Sequence, residues 1–331
     1  MKLKLIFFGT SSFAATVLKT LAENPEFLVA AVVTAADKPV GRKQEMQASF
    51  VALEAEKHKI PMLKPERLKD PEFAEKLKAY NADIFLVAAY GKIIPKNILD
   101  LPTRGSINIH GSLLPEYRGA SPIHAVIIDG QKKTGITIMR MDELMDHGDM
   151  LFKHELPIAP EQTQPELEKA LALLAAEHIA EDLKLIASGE ARPEPQDHSK
   201  ATFTKIINKE DGRIDWSKSA ADIYNLFRAY AAWPGVYTFF NGQRLKIIEC
   251  KITEFGENVS AEKIAVGEKK AEKIIAGEVF KKDGHLLVGC GADSREKSSL
   301  EILTLQLEGK NISSAADFAR GHKDFIGAKL E

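Results

Sequence analysis

An apolar run at residues 3–8 stops at Gly9-Thr10-Ser11-Ser12. Phe13, Val17, Leu18 and Leu21 then recur at helical spacing, and a second apolar run follows at 27–34. A continuous apolar run, a turn rich in capping residues and an amphipathic stretch predict a strand, a helix and a second strand parallel to the first. A β-α-β crossover must pack its helix back onto the sheet, so this opening commits the chain to a layered α/β architecture.

The alternation continues. The spacing predicts a helix over 71–80, a buried strand over 84–89 and strands over 105–109, 135–141 and 150–156. A long amphipathic helix over 165–188 is ended by Gly189. Together these elements predict a doubly wound, mostly parallel α/β sheet, with ligands bound beyond the carboxyl ends of its strands. Residues 35–50 interrupt the pattern with Asp37, Lys38, Pro39, Gly41, Arg42 and Lys43, and are expected as a long exposed loop.

At 331 residues the chain exceeds what one core usually serves, so two domains are expected. Pro193, Pro195, Asp197 and His198 mark a change of composition read as a linker. The division is therefore 1–189, a linker at 190–206, and 207–331. Past a helix at 219–230, the last part is dominated by short strands at 236–240, 245–252, 274–280, 286–288 and 300–305, with hairpin turns at Asn241-Gly242 and Asp283-Gly284. This predicts a small β-barrel of the OB type. The echo of Ala261-Glu262-Lys263-Ile264 in Ala271-Glu272-Lys273-Ile274 is expected as a charged insertion between strands.

Apolar residues make up 44% and charged residues 28%, and the net charge is -2, so any polyanionic partner must be held by a local basic patch. Cys250 and Cys290 lack zinc or redox spacing, and no disulfide framework or metal is expected. The apolar run in residues 1–8 is too short for a signal-peptide core, and no segment approaches the ~20 apolar residues of a membrane span, so a cytoplasmic protein is expected.

Asn108 and His110, two positions apart, share one face of an extended strand at its carboxyl end. Histidine exchanges protons near neutral pH, and an asparagine amide donates to a developing oxyanion. The acidic segment 142–149 contains Asp146, a carboxylate suited to orient the histidine or relay its proton. This is the base-and-orienter logic of a catalytic triad without an obvious nucleophile, and an acyl-transfer site is expected, although the spacing alone does not name the reaction. A metal site built from His110, His147 and an aspartate is the rival reading, and no His-x-x-x-His spacing supports it.

The string HGSLLPEYRGASP at 110–122 resembles the signature loop of the folate-dependent formyltransferases, and Asn108 and Asp146 fall where that family carries its asparagine and aspartate. FGTSSFAA at 8–15, AYGKIIP at 89–95, TGITIMRMDELMDHGDM at 134–150, RIDWSKS at 213–219 and the late segment 309–321 resemble the branch whose acceptor is methionine on initiator tRNA. The resemblance implies 10-formyltetrahydrofolate as formyl donor and direct attack by the amine, with Asn108, His110 and Asp146 as catalytic residues. It implies a folate site lined by Ser112, Leu113, Leu114 and Pro115, and phosphate contacts at Arg42 and Lys43 in a loop that meets the tRNA acceptor stem. Initiator methionyl-tRNA is the implied partner, and a monomer is expected. A sugar-amine N-formyltransferase or a 10-formyltetrahydrofolate hydrolase would share the same three residues, and a folate- or RNA-binding protein without turnover is the non-enzymatic alternative.

Overall fold

The computed structural model describes residues 2–40, 44–254, 275–291 and 298–331. The chain divides into two compact units. The first comprises residues 1–126, 132–160 and 166–206, and the second comprises 127–131, 161–165 and 207–331.

The first unit begins with β1 (Leu3–Gly9), α1 (Ser12–Glu23) and β2 (Phe27–Val33). Ser11 caps α1, its hydroxyl accepting the Ala14 amide, which satisfies one of the helix's orphan donors. Within residues 35–50, expected as a loop without regular structure, β3 (Lys38–Val40) and β4 (Glu45–Gln47) pair as a short antiparallel ribbon. Arg42 and Lys43 lie outside the described residues. A helix α2 (Phe50–Lys57) follows, capped by Ser49, then β5 (Met62–Leu63) and α3 (Pro71–Lys78). The remaining elements are β6 (Ile84–Ala88), α4 (Lys96–Leu99), β7 (Ser106–His110), β8 (Arg118–Gly119), α5 (Pro122–Ile128), β9 (Lys133–Arg140), β10 (Met150–Pro157), α6 (Gln164–Ser188) and β11 (Phe203–Thr204).

The main sheet has the order β10-β9-β7-β6-β1-β2-β5. The five strands from β5 to β7 are parallel, and β9 and β10 extend the sheet antiparallel. The order reverses direction between β1 and β6, where an open α/β sheet places its ligand crevice. Strand parity divides the core. Ile6 and Phe8, Ala31 and Val33, and Phe85 and Val87 join Phe73, Leu77, Ile98 and Leu99 in one cluster against α3 and α4. Residues 190–206 belong to this unit: Glu194 and Met150 exchange backbone hydrogen bonds, and β11 pairs in parallel with β8.

The second unit contains α7 (Ala220–Ala229) and the antiparallel strands β12 (Val236–Phe240), β13 (Gln243–Glu254), β14 (Val279–Lys282), β15 (His285–Gly289) and β16 (Ser298–Leu307), in the order β12-β13-β16-β15-β14. The short β17 (Ser313–Ser314) pairs with β16, and α8 (Ala315–Gly321) follows. Both expected hairpin turns form, with positive φ at Asn241, Gly242, Asp283 and Gly284. The two edges of the sheet meet the same tail: Phe239 of β12 exchanges backbone hydrogen bonds with Glu331, while Val279 of β14 and Gly277 before it bond to Ala328 and Leu330. This tail gives the OB-like sheet its barrel closure. The echo at 261–274 and the start of the strand expected at 274–280 lie outside or at the margin of the described residues. Cys250 and Cys290 are buried and free, and burial pushes the Cys250 thiol up. Among the described residues no helix is long and apolar enough to cross a membrane.

Candidate active site

β7 carries Asn108 and His110 on one face, while the alternate residues Ile107 and Ile109 are buried on the other. The strand is held from both sides, Val87 of β6 standing beside Asn108, and Thr137 of β9 beside His110. His110 is only 5% exposed, so its bonds are set by protein groups. Its Nε2 lies 2.9 Å from the carbonyl oxygen of Tyr117. A carbonyl only accepts, so Nε2 carries a proton and donates. The other nitrogen, Nδ1, stands 3.5 Å from Asp146 Oδ1.

Asp146 comes from the turn after β9. Arg140 donates its backbone N–H to Asp149 O, and a Cβ on Gly148 would stand 2.1 Å from Arg140 O. Only glycine lets that turn lie so close to the strand. Asp146 itself has φ 50, the left-handed region that costs a non-glycine residue about 1–2 kcal/mol. Its Oδ2 accepts the Gly119 amide at 2.8 Å, and its Oδ1 receives a long 3.4 Å contact from Asn108 Nδ2. The expected trio is therefore brought together. The bond that sets the histidine tautomer comes from Tyr117, whereas the sequence reading looked to Asp146 for it.

The loop between His110 and Tyr117 is pinned to β9. Thr137 Oγ1 donates to Ser112 O at 2.7 Å and accepts the Leu114 amide at 3.0 Å. Ser112 Oγ donates to Glu116 O, and Leu114 packs with Met139 and Met150. Of the four residues expected to line a folate site, Ser112 and Leu114 are buried and committed to these contacts, while Leu113 and Pro115 are half-buried.

At the switch point, Thr10 after β1 donates its hydroxyl to the carbonyl of Tyr90 after β6 at 3.3 Å. The Tyr90 ring packs edge-on against Phe8, and its buried hydroxyl has no partner among the described residues. Burial pushes that phenol up to about 12, so it stays a neutral donor at physiological pH. Tyr117, Gly119 and Tyr90 were not singled out by sequence reasoning. The only signal for Gly119 is its place in a Gly- and Pro-containing turn. Its φ of 108, with the Thr204 carbonyl oxygen 2.6 Å from where a Cβ would stand, explains the glycine.

Proton exchange at His110 beside a fixed carboxylate, next to an amide donor at the mouth of a parallel sheet, suits transfer of an acyl group to an amine. Residues 1–183 match the formyl transferase family, and residues 206–323 match the formyl transferase C-terminal domain. The methionyl-tRNA formyltransferase of Geobacter metallireducens is 40% identical over 99% of this chain and 98% of its own length. That of Caldicellulosiruptor saccharolyticus is 42% identical over 96% of this chain and 97% of its own.

The chain belongs to the methionyl-tRNA formyltransferase family.

Among solved structures, the N-formyltransferase of Helicobacter canadensis in complex with folinic acid and dTDP-3-aminofucose is similar with a TM-score of 0.64 at 17% identity, covering 91% of this chain and 99% of that one. At that identity the likeness shows a shared formyltransferase fold. His147 bonds Asp142 through Nδ1 at 2.7 Å and stacks on His198. Among the described residues no group of three or more His, Cys, Asp or Glu side chains has the arrangement of a metal site.

Proposed function

We propose that this protein transfers the formyl group of 10-formyltetrahydrofolate to the α-amino group of methionine on initiator tRNA. The observation that carries the reading is the 40% identity to a methionyl-tRNA formyltransferase over nearly the full length of both chains. The donor fits the chemistry of the crevice: an amide donor for a carbonyl oxygen at Asn108, an imidazole acceptor for a proton at His110, and half-buried apolar surface at Leu113 and Pro115 for a flat ring.

In the transfer a C–N bond forms between the amine and the formyl carbon, and the bond from that carbon to the donor nitrogen breaks. The amine gives up one proton and the departing nitrogen gains one. Asn108 donates to the formyl oxygen as negative charge gathers there; its amide has a second N–H beyond the one directed at Asp146. His110 Nδ1 takes the amine proton, since Nε2 is already occupied by its bond to Tyr117. Asp146, 3.5 Å away and anchored by Gly119, stabilises the imidazolium that results. The same proton then passes to the departing nitrogen. No protein nucleophile is needed, because holding two substrates in register supplies the rate.

Arg42 and Lys43, between the ribbon strands in sequence, contact phosphate near the acceptor stem, and the second unit offers a further surface for a large RNA. The protein acts as a monomer in the cytoplasm. Incubation of purified protein with the formyl donor and charged initiator tRNA tests the function: formylmethionyl-tRNA is the expected product. Formylation of a nucleotide-linked amino sugar in its place, or release of formate alone, overturns the reading.

A further inference from the structure

Arg118 is 3% exposed, and its guanidinium bonds the neutral side chain of Gln196 and the ring of His198. A buried guanidinium is costly unless its donors are satisfied. Here Nε and Nη2 both donate to Gln196 Oε1, at 3.1 and 2.7 Å, and Nη2 also meets His198 Nδ1 at 2.8 Å. The amide nitrogen of Gln196 points the other way. Its two hydrogens go to the carbonyl oxygens of Asp146 and Gly148, at 2.9 and 2.7 Å.

We infer that Gln196, oriented by Arg118, is a positioning residue that holds the backbone of Asp146 in its left-handed turn and so fixes the carboxylate against His110. The strained φ of Asp146 persists only where surrounding bonds over-determine it, and Gln196 grips the 146–147 and 148–149 peptides. The positive charge on Arg118 polarises the amide it binds, which strengthens the amide's own donation to the two carbonyls. Arg118 also stands between Tyr117, whose carbonyl fixes His110, and Gly119, whose amide fixes Asp146. Its own backbone is tied to Thr202 and Thr204. One side chain pair thus links the loop that orients the histidine to the turn that supplies the carboxylate.

The inference rests on Asp146 serving catalysis, and the test separates the two claims. Gln196→Glu keeps a strong acceptor for Arg118, now as an ion pair, while presenting no donor to the two carbonyls. Full-length wild type, Gln196→Glu, Asp146→Ala and the double variant are compared for thermal unfolding, kcat, and KM for donor and tRNA. The expected result for Gln196→Glu is a melting temperature within a few degrees of wild type, kcat lower by about tenfold or more, as a misplaced group near the chemistry produces, and KM changed by less than about twofold. The double variant is expected to be no slower than Asp146→Ala alone, because Gln196 acts through Asp146. Wild-type kcat in Gln196→Glu beside a crippled Asp146→Ala overturns the positioning inference only. Independent, multiplying losses in the double variant overturn it too. Near-normal turnover in Asp146→Ala overturns the catalytic reading beneath it.

Discussion

Nε2 of His110 donates to the carbonyl oxygen of Tyr117 across 2.9 Å, and that single bond decides which nitrogen works. With Nε2 occupied, Nδ1 is left to face Asp146. A backbone carbonyl can only accept, so the neutral ring keeps its proton on Nε2.

Replacing His110 or Asp146 by alanine therefore removes the proton's landing place or its counter-charge. Each variant is expected to lose at least about a hundredfold in turnover, with tRNA affinity retained. Rapid-quench measurement of formylmethionyl-tRNA, beside a binding titration, checks both halves. A rate within a few-fold of wild type in either variant denies that residue its role.

Asn108→Ala deletes one oxyanion donor. The expected loss in kcat is about 10²–10³-fold, the usual effect of such a deletion. Because β7 is pinned by Ile107 and Ile109 on its other face, unfolding in urea should shift little. A large stability loss with matching loss of rate would make Asn108 a structural residue.

Gly119→Ala tests the turn at the site. Its φ of 108 and the 2.6 Å approach of Thr204 O leave no room for a Cβ. Denaturant unfolding should show a loss of about 2 kcal/mol or more, and kcat should fall with it, since the Gly119 amide holds Asp146. Unchanged stability would mean that the turn relaxes freely.

Glu54 gives a pH signature away from the site. It is 8% exposed on α2, and the hydrogen bond from Lys57, together with His58, holds its carboxyl below the ordinary value of 4.5 against the opposing effect of burial. In that window the unfolded chain binds more protons than the folded one, so stability is present above about pH 4.5 and falls as pH drops through the folded value. Unfolding free energies measured between pH 6 and 3 should decline less steeply in Glu54→Gln. Identical slopes would show that Glu54 carries none of the acid sensitivity.

For the RNA contact, Arg42→Ala should weaken tRNA binding and reduce the slope of log affinity against log salt by about one unit, while folate binding stays constant. An unchanged slope would return Arg42 to the solvent.

The opening β-α-β unit was legible because its strands are buried and its helix starts at a side-chain cap, features written in neighbouring residues. Asn108 and His110 were legible for the same reason, since a period of two puts them on one face without any knowledge of the sheet. Helix α2 escaped notice because its inward face includes Glu54, a charge that breaks the apolar stripe and is compensated only by its own neighbours. The ribbon β3–β4 is built from backbone pairing with exposed side chains in β4, and α8 is too short for its periodicity to register. Gln196 was the least legible. The stretch around it has the proline and polar content of a linker, and its role depends on carbonyls 48 and 50 positions back in the chain. Amino-acid type records nothing of such bonds.

The tail at residues 328–331 sets an order of events during synthesis. The main sheet of the first unit has every strand in hand once Pro157 has left the ribosome, so it is free to assemble early. The barrel has no such freedom. Its two edges, at Phe239 and Val279, wait for the same stretch, made after every strand of their own sheet. Until that stretch arrives the β14 edge stays open to other nascent chains, and the β12 edge is covered only at Tyr237, by Ile214. A ribosome that stalls just short of it would thus release a finished catalytic layer attached to an aggregation-prone half-barrel.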